Sequence, residues 1–266
     1  MTELQDKRLF LLDMDGTIYL DDRLFDGVIP FLARIREKGG RYLFLTNNSS
    51  RGVESYMEKL AGMGIATGPE DYLTSVDATI EALRRDYPGK RCYVQGTASF
   101  RGQLEAAGIP VACGREDGAE VLVSGFDREL TFQKLEDACI LLGRGLPWLA
   151  TNPDWVCPTW YGSVPDCGSV CEMLHRATGR QPVFIGKPQP AMARLALVRT
   201  GYPPEAAVLI GDRLYTDIAC AANAGIDSIF VLSGEGKAGD IEREDIHPTW
   251  VYDDINAVFR AWEETP

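Results

Sequence analysis

The sequence predicts an α/β fold built on a parallel sheet, and three observations support that class. Short apolar runs alternate with longer segments of helical periodicity along the 266 residues. Runs such as residues 9–12 lack polar alternation, which is typical of strands buried on both faces of a parallel sheet. Four of the runs are followed by polar side chains, as expected at the carboxyl ends of strands in open α/β sheets.

Each strand is predicted from a short apolar run bounded by glycine, proline or polar residues. The spacing of the runs leaves room for a helix between them, which favours parallel strands joined by crossovers. Two segments interrupt this alternation: a loop or hairpin at residues 18–27, and a proline- and aromatic-rich loop at residues 155–166. In chain order, the predicted strands are residues 9–12, 42–45, 72–74, 92–94, 121–123, 147–150, 183–185, 208–210, 228–232 and 250–252.

The helices are predicted from apolar side chains at helical spacing and from the residues that start or end them. Pro30 lies in the first turn of the first helix, and Gly39-Gly40 ends it. Ser49 or Ser50 can cap the second helix, and Thr131 caps a later one. The helices begin near residues 28, 53, 76, 100, 132, 169, 191 and 253, and one further helix ends at residue 224.

Composition narrows the range of partners. The chain is 45% hydrophobic and 25% charged, as in ordinary globular proteins, and its net charge is −12. That charge argues against nucleic acid or an anionic membrane as a partner. No signal segment opens the chain and no apolar run is long enough to span a bilayer. A small molecule is therefore the expected partner, and the sequence leaves room for a homodimer.

The cysteines and histidines argue against a disulfide framework and a zinc site. The seven cysteines are an odd number without a C-x-x-C pair, and there are only two histidines. We expect the cysteines to be reduced and mostly buried, in a cytoplasmic protein.

The first strand leads directly into two carboxylates, Asp13 and Asp15. At strand spacing, residues two apart point the same way, so both carboxyl groups can reach one point. Their repulsion must then be relieved by a shared proton or a cation, and oxygen ligands favour a hard ion such as magnesium. A lone D-x-D more often ends a strand and starts a turn, so a metal site is indicated only if other residues of the chain support it.

Three further strand ends carry polar side chains of matching chemistry. Thr46 and Asn47 follow the second strand, just before a helix whose N-terminus can bind an anion. Lys187 follows the predicted strand at residues 183–185, and Asp212 with Asp217 follows residues 208–210. Each tip alone has an ordinary explanation as a cap or a solvated side chain. Together, at one edge of a parallel sheet, they predict a site for an anion and a cation.

The polar residues at these four strand ends resemble the conserved motifs of the haloacid dehalogenase (HAD) superfamily of phosphatases. Its four motifs are matched, in the family's order, by Asp13-Met14-Asp15-Gly16-Thr17, Thr46, Lys187 and Gly211-Asp212 with Asp217. Details such as Thr46-Asn47-Asn48-Ser49, residues 150–154, Gly186-Lys187-Pro188 and residues 211–218 are similar to the NagD or 4-nitrophenylphosphatase branch. The resemblance covers nearly the whole chain and implies a phosphoric monoester hydrolase.

The resemblance implies a role for each carboxylate. Asp13 is the expected nucleophile that forms a phosphoaspartyl intermediate, and Asp15 the acid and base for the leaving group and water. Mg²⁺ is expected to be held by Asp13, the backbone carbonyl of Asp15 and Asp212, with Asp217 orienting the set. Arg213 stands where some members have asparagine, and no role is carried over to it.

The phosphoryl oxygens are expected to be held by Thr46, Asn47 and Lys187. The resemblance implies that these core motifs contact only the phosphoryl group, so the leaving group is expected to be recognised elsewhere. The candidates for specificity are Asn48, Arg51, Asn152 and Asp154, together with the aromatic residues Trp155, Trp160 and Tyr161.

The resemblance also implies the domain organisation: a Rossmann-like HAD core with an inserted α/β cap of the type that the branch carries. The expected boundaries are residues 1–75 and 182–266 for the core and 76–181 for the cap. The expected activity is magnesium-dependent hydrolysis of small phosphate monoesters such as sugar phosphates or nucleotides, with 4-nitrophenyl phosphate as an in vitro substrate.

Two alternatives remain open at this stage. A phosphomutase or phosphotransferase would use the same core and return the phosphoryl group to a product. A receiver-like signalling protein would form a phosphoaspartate without hydrolysis, but it would need neither an acid–base residue at position 15 nor a large cap. Those two features favour the phosphatase.

Overall fold

The structure, a computed structural model, describes residues 3–159 and 161–264 and confirms the α/β class. In chain order, its strands are β1 (Leu9–Leu12), β2 (Tyr19–Leu20), β3 (Arg23–Leu24), β4 (Arg41–Thr46), β5 (Tyr72–Thr74), β6 (Cys92–Gln95), β7 (Val121–Ser124), β8 (Trp148–Ala150), β9 (Val156–Thr159), β10 (Gly162–Pro165), β11 (Val183–Phe184), β12 (Ala207–Gly211), β13 (Asp227–Val231) and β14 (Trp250–Tyr252). Its α-helices are α1 (Val28–Glu37), α2 (Val53–Gly62), α3 (Ser75–Asp86), α4 (Ala98–Ala106), α5 (Phe132–Gly143), α6 (Cys167–Thr178), α7 (Ala191–Thr200), α8 (Ala219–Ala224), α9 (Asp240–Glu244) and α10 (Ile255–Glu263).

The chain divides into two compact units. The core unit comprises the residues up to Thr46, then Val53–Leu73, and the residues from Lys187 onward. The cap unit comprises Asn47–Gly52 and Thr74–Gly186. An inserted α/β cap is thus present, and the boundaries predicted from the sequence stay predictions.

The core unit contains a six-stranded sheet in the order β14-β13-β12-β1-β4-β5. The β1 strand lies in the middle and pairs in parallel with β12 and with β4, so that Leu11 faces Leu209 on one side and Leu43 on the other. Both faces of β1 are fully buried, which explains why its sequence is continuously apolar.

Helices pack on the core sheet through the rows of apolar side chains that the sequence predicted. Phe10 of β1 contacts Phe31 of α1 and Trp262 of α10 edge to face, with ring centroids 5.2 and 5.0 Å apart. Val28, Phe31, Leu32 and Ile35, the predicted stripe of α1, are all buried. The alternation of strand and helix therefore places the ends of β1, β4 and β12 at one edge of this sheet.

The cap unit has its own four-stranded sheet, in the order β11-β8-β7-β6 with parallel pairing. Its core is apolar apart from contacts such as the hydrogen bond from the indole of Trp148 to Ser124 Oγ, 2.9 Å. Thr131 caps α5 as predicted, since its side chain accepts a bond from the Lys134 N–H.

Two sequence predictions about strands were wrong. The strand before Lys187 was expected beside the others in the core sheet, but β11 pairs with β8 of the cap sheet. Residues 155–166 were expected to form a loop, but β9 and β10 form an antiparallel hairpin. Proline within these runs suggested a loop, but both strands of a two-stranded hairpin are edge strands, and proline is tolerated in edge strands.

The cysteines are all free, and four of the seven are buried. Within residues 3–159 and 161–264, no helix combines the length and the apolar character needed to cross a bilayer.

Candidate active site

The nucleophile predicted from the sequence lies directly after the central strand. The Asp13 N–H donates to Ile210 O at 2.9 Å, which extends the pairing of β1 with β12 by one residue. The Asp13 carboxylate is only 16% exposed. Its position at the end of a strand buried on both faces holds it firmly at the edge of the core sheet.

Asp15 lies in a different environment from Asp13. Its side chain is 68% exposed and lies 4.0 Å from Lys59 Nζ. The expectation that both carboxyl groups reach one point assumed strand geometry beyond Leu12. Instead a turn begins at Met14, whose carbonyl accepts from the N–H of Ile18, and Gly16 has a φ of +85°. The predicted metal contact through the backbone carbonyl of Asp15 stays a prediction.

Asp212 and Asp217 follow β12 and complete a cluster of carboxylates. Among the described residues, Asp13, Asp212 and Asp217 each offer an oxygen within 4.8 Å of the others. Asp217 lies on a π-helical turn, Leu214–Ile218, a geometry that occurs frequently at functional sites. A Cβ at Gly211 would overlap the Asp217 side chain, so the glycine before Asp212 admits Asp217 to the cluster.

Lys187 joins the carboxylates. Its Nζ donates to Asp13 Oδ1 at 2.5 Å and to Asp217 Oδ1 at 2.6 Å, and its side chain is 4% exposed. Burial alone would lower the pKa of Lys187, but Asp13 and Asp217 raise it well above its usual value, so the lysine is charged. Asp217 Oδ2 also accepts from the Arg213 N–H at 3.2 Å, so both of its oxygens are engaged.

The two carboxylate oxygens of Asp212 differ in their hydrogen bonding. Its Oδ2 accepts from the Glu235 N–H at 2.7 Å, whereas its buried Oδ1 has no hydrogen-bond partner within the described part of the chain. Burial, with the nearby charges of Asp13 and Asp217, raises the pKa of Asp212 to about 7. Burial also raises the pKa of Asp217, to about 6, although Lys187 opposes that shift. A buried carboxylate oxygen without a partner is the group that a cation would satisfy.

Thr46 and Asn47, adjacent in sequence, belong to different units. Thr46 ends β4 in the core unit and is 8% exposed. Asn47 lies in the cap unit, where its Nδ2 donates to Asp154 Oδ2 at 2.8 Å. Asn152 Nδ2 donates to the same oxygen at 2.8 Å and to Asp166 Oδ1 at 3.1 Å. The cap unit therefore joins one predicted phosphate-binding residue to two of the predicted specificity residues.

The remaining specificity candidates are more exposed than Asn152 and Asp154. Asn48 Oδ1 accepts from the N–H and hydroxyl of Ser50, and Arg51 is exposed. Trp155 and Tyr161 are each 59% exposed, and Trp160 lies outside the described residues.

Neither predicted serine caps α2. The helix begins at Val53, and Ser49 Oγ instead contacts Thr151 Oγ1 at 3.0 Å and accepts from the Phe126 N–H. Ser50 donates its hydroxyl to Asn48. The prediction was wrong because both hydroxyls are used within the cap unit, which local sequence does not reveal.

Sequence reasoning missed a segment that surrounds Asp212. Residues 233–236, Ser-Gly-Glu-Gly, follow β13, the neighbour of β12 in the core sheet. Glu235 binds Asp212 through its N–H and pairs with Arg213 through its carboxylate, Nε to Oε2 at 2.8 Å. A polar, glycine-rich segment after a buried core strand was the available signal. Arg213 is charged, since Asp13 and other neighbouring groups raise its pKa against the effect of burial.

The crowding of carboxylates predicts a pH-dependent stability of the metal-free protein. A carboxyl group whose pKa is raised on folding lowers stability progressively above its unfolded pKa of about 4, and fully above its folded pKa, here about 7 for Asp212. In EDTA at pH 8, Asp212→Asn should therefore raise Tm by at least ~3 °C. The gain should shrink towards pH 5, measured by thermal unfolding with the exposed Asp22→Asn as control. A lower Tm for Asp212→Asn at pH 8 would contradict the described electrostatics.

Comparisons with known proteins agree with this geometry. The haloacid dehalogenase-like hydrolase family model matches residues 10–110, and a HAD-hydrolase-like model matches residues 184–258. An acid sugar phosphatase of Staphylococcus aureus (strain USA300) is 31% identical over 257 residues, which cover 97% of this chain and 98% of the relative.

Solved structures match along the whole chain. A 4-nitrophenylphosphatase from Thermotoga maritima superposes with a TM-score of 0.92 at 39% identity, covering 98% of this chain and 99% of that one. A glycerol phosphate phosphatase from Mycobacterium tuberculosis in complex with magnesium superposes with a TM-score of 0.90 at 31% identity, covering 99% of this chain and 79% of that one.

The chain belongs to the haloacid dehalogenase-like hydrolases. Within them it is a phosphatase of the NagD/4-nitrophenylphosphatase branch, a phosphoric monoester hydrolase that acts on small phosphate esters. The receiver-like alternative is thereby set aside.

Proposed function

We propose that the protein is a magnesium-dependent phosphatase that hydrolyses sugar or polyol phosphates through a phosphoaspartyl intermediate on Asp13. The observation that carries the proposal is the buried cluster of Asp13, Asp212, Asp217 and Lys187, in which Asp212 Oδ1 has no hydrogen-bond partner among the described residues. The substrate class is supported by the sugar and glycerol phosphate phosphatases among its relatives.

The donor set fits a hard divalent cation. The clustered ligands are carboxylate oxygens, the type that Mg²⁺ prefers. Since Asp217 gives one oxygen to Lys187 and the other to the Arg213 N–H, we assign direct contact to Asp13 and Asp212. Bound Mg²⁺ would neutralise charge on the transferred phosphoryl group and keep Asp13 ionised.

The residues of the chain then divide the chemistry between them. Asp13 attacks phosphorus, and the bond from phosphorus to the ester oxygen breaks as the bond to the Asp13 carboxylate forms. Asp15, exposed and outside the carboxylate cluster, can move a proton: it protonates the leaving oxygen and later takes a proton from the attacking water. Water then attacks phosphorus and releases phosphate and Asp13.

Lys187 and Thr46, both of the core unit, are proposed to hold the phosphoryl oxygens, and the same role for Asn47 stays a prediction. Lys187 is buried, charged and bonded to Asp13, so it presents a fixed positive charge beside the attacking oxygen. The phosphomutase alternative is less favoured, because the named relatives transfer the phosphoryl group to water. The roles proposed for Asn48, Arg51, Asn152 and Asp154 in substrate choice stay predictions.

A phosphate-release screen tests the function. The purified chain should release phosphate from 4-nitrophenyl phosphate, and faster from one or more sugar or polyol phosphates, only with Mg²⁺. Activity should disappear in EDTA and return with added MgCl₂. Full activity in verified metal-free enzyme would contradict the proposal, as would a product that retains the phosphoryl group in a new position.

A further inference from the structure

The segment formed by residues 233–236, called here the β13 loop, contacts the residues that follow two strands of the site, β1 and β12. Ser233 Oγ donates to Gly16 O at 2.7 Å, in the turn that follows Asp13. The Glu235 N–H donates to Asp212 Oδ2 at 2.7 Å, and the Gly236 N–H donates to Asp212 O at 3.0 Å. The β13 loop therefore holds Asp212 by its backbone and by one carboxylate oxygen at once.

Glycine makes this close approach feasible. A Cβ at Gly234 would overlap the Asp212 carboxylate, including Oδ2, and a Cβ at Gly236 would lie 2.6 Å from Asp212 O. Gly16 is constrained in the same way, since its Cβ would also overlap Asp212 Oδ2. The carboxylate of Asp212 thus lies in a cradle of backbone that any larger residue at these positions would fill.

The Glu235 side chain ties the β13 loop to the turn that carries Asp217. Its Oε2 lies 2.8 Å from Arg213 Nε in an ion pair, and its Oε1 accepts from the Tyr215 hydroxyl at 3.1 Å. Arg213 and Tyr215 flank the start of the π-helical turn, two residues apart. The same residue therefore uses its N–H to hold Asp212 and its carboxylate to fix the position of that N–H.

We propose that Glu235 is a positioning residue for the metal centre, which holds Asp212 so that Oδ1 alone faces the cation. This inference depends on the proposed function, because it assigns a role towards Mg²⁺. The terminal torsion of an aspartate is broad, so an unrestrained carboxylate could turn either oxygen to the site. With Oδ2 bonded to the Glu235 N–H, the bare Oδ1 becomes the fixed ligand.

If Glu235 positions Asp212 in this way, its removal should lower the affinity for Mg²⁺ more than it changes the binding of substrate. Groups that orient a metal ligand typically contribute ~10- to 100-fold in affinity. Glu235→Ala removes the tether to Arg213 and Tyr215 and should weaken Mg²⁺ binding ~10-fold or more. Glu235→Gln keeps the length and can bond both partners through its amide, so it should stay within ~3-fold of wild type. Gly234→Ala should weaken binding at least as much as Glu235→Ala.

The test is calorimetric titration of MgCl₂ into the metal-free full chain, with thermal unfolding in EDTA and steady-state kinetics on 4-nitrophenyl phosphate. Glu242→Ala removes an exposed carboxylate from α9, and Gly239→Ala adds a methyl group with no atom within 4 Å of it. Both controls should bind Mg²⁺ like wild type. Saturating Mg²⁺ should restore most of kcat in Glu235→Ala and leave KM for the ester within ~3-fold of wild type.

The outcomes separate the inference from the proposed function. A wild-type chain that binds no Mg²⁺ overturns the proposed metal site, and the inference with it. Wild-type binding that persists unchanged in Glu235→Ala and Gly234→Ala overturns the positioning role alone. A lowered Tm in these variants with unchanged Mg²⁺ affinity would likewise reduce the β13 loop to a structural element and contradict the inference.

Discussion

The Asp13→Asn protein is expected to lose at least ~10⁴-fold in kcat on 4-nitrophenyl phosphate while remaining folded. The amide cannot act as the nucleophile, and no second carboxylate of the cluster can replace it. Asp217 is bonded through both oxygens, and Asp212 is held by the Glu235 N–H. The fold should survive because asparagine can still accept the bond from Lys187.

This loss is measured by nitrophenolate release with Mg²⁺ saturating, alongside circular dichroism and thermal unfolding. Asp13→Ala is the second variant, since asparagine can deamidate and restore the nucleophile. Asp22→Asn, a change of the same type at an exposed position, is the matched control and should keep wild-type activity. Turnover within ~10-fold of wild type by both folded Asp13 variants would remove the nucleophile from this position.

Lys187→Met is expected to damage both stability and catalysis. It leaves Asp13 and Asp217 without the cation that lies 2.5 and 2.6 Å from them. Removing one partner of a buried ion pair typically costs ~3–5 kcal/mol. Loss of a fixed positive charge beside the phosphoryl group should lower kcat by ~10³-fold.

The stability effect should be partly reversed by a second change. In the Lys187→Met/Asp217→Asn protein, one of the two stranded charges is removed, so unfolding by urea in EDTA should show a coupling of at least ~1 kcal/mol. Lys90→Met, which breaks an exposed pair with Glu120, should cost less than ~1 kcal/mol and serves as the control. Additive effects of the Lys187 and Asp217 changes would contradict a shared buried network.

The residue positions that the sequence predicted and the structure shows are those determined by single strands. The run of residues 9–12 is buried on both faces of its sheet, and that burial places Asp13 where the periodicity predicts it. Asp212 follows β12 for the same reason, since β12 is the neighbour of β1. Motif spacing then identified Lys187 and Asp217, which the structure brings within hydrogen-bond distance of each other.

The parts that were missed depend on pairing between distant segments. The strand β11 has the composition of a core strand, and only its partner β8 reveals that it belongs to the cap sheet. Asn47 adjoins Thr46 in sequence, yet its amide bonds to Asp154, 107 residues away. The prediction for Asp15 assumed strand geometry, but β1 ends at Leu12, so the exposure of the Asp15 side chain was not predicted.

The β13 loop was overlooked for a different reason. Its contribution is made through backbone N–H groups and through the absence of Cβ atoms, which no catalytic side-chain motif marks. The ionisable side chain in it, Glu235, acts through Arg213 and Tyr215, and those contacts appear only when β13 lies beside β12. The signal available in the sequence was the polar, glycine-rich run Ser-Gly-Glu-Gly directly after a buried strand, a position like those of the other four strand ends.

Trapping the covalent intermediate tests the central claim most directly. Asp15→Asn enzyme mixed with 4-nitrophenyl phosphate and Mg²⁺ should release about one equivalent of nitrophenolate in a burst, because this leaving group departs without being protonated, whereas the hydrolysis step needs Asp15 to take a proton from the attacking water. Borohydride reduction of the quenched protein should then convert residue 13 to homoserine, detected by mass spectrometry. Reduction at another carboxylate, or steady turnover at the wild-type rate with no modified residue, would contradict the account.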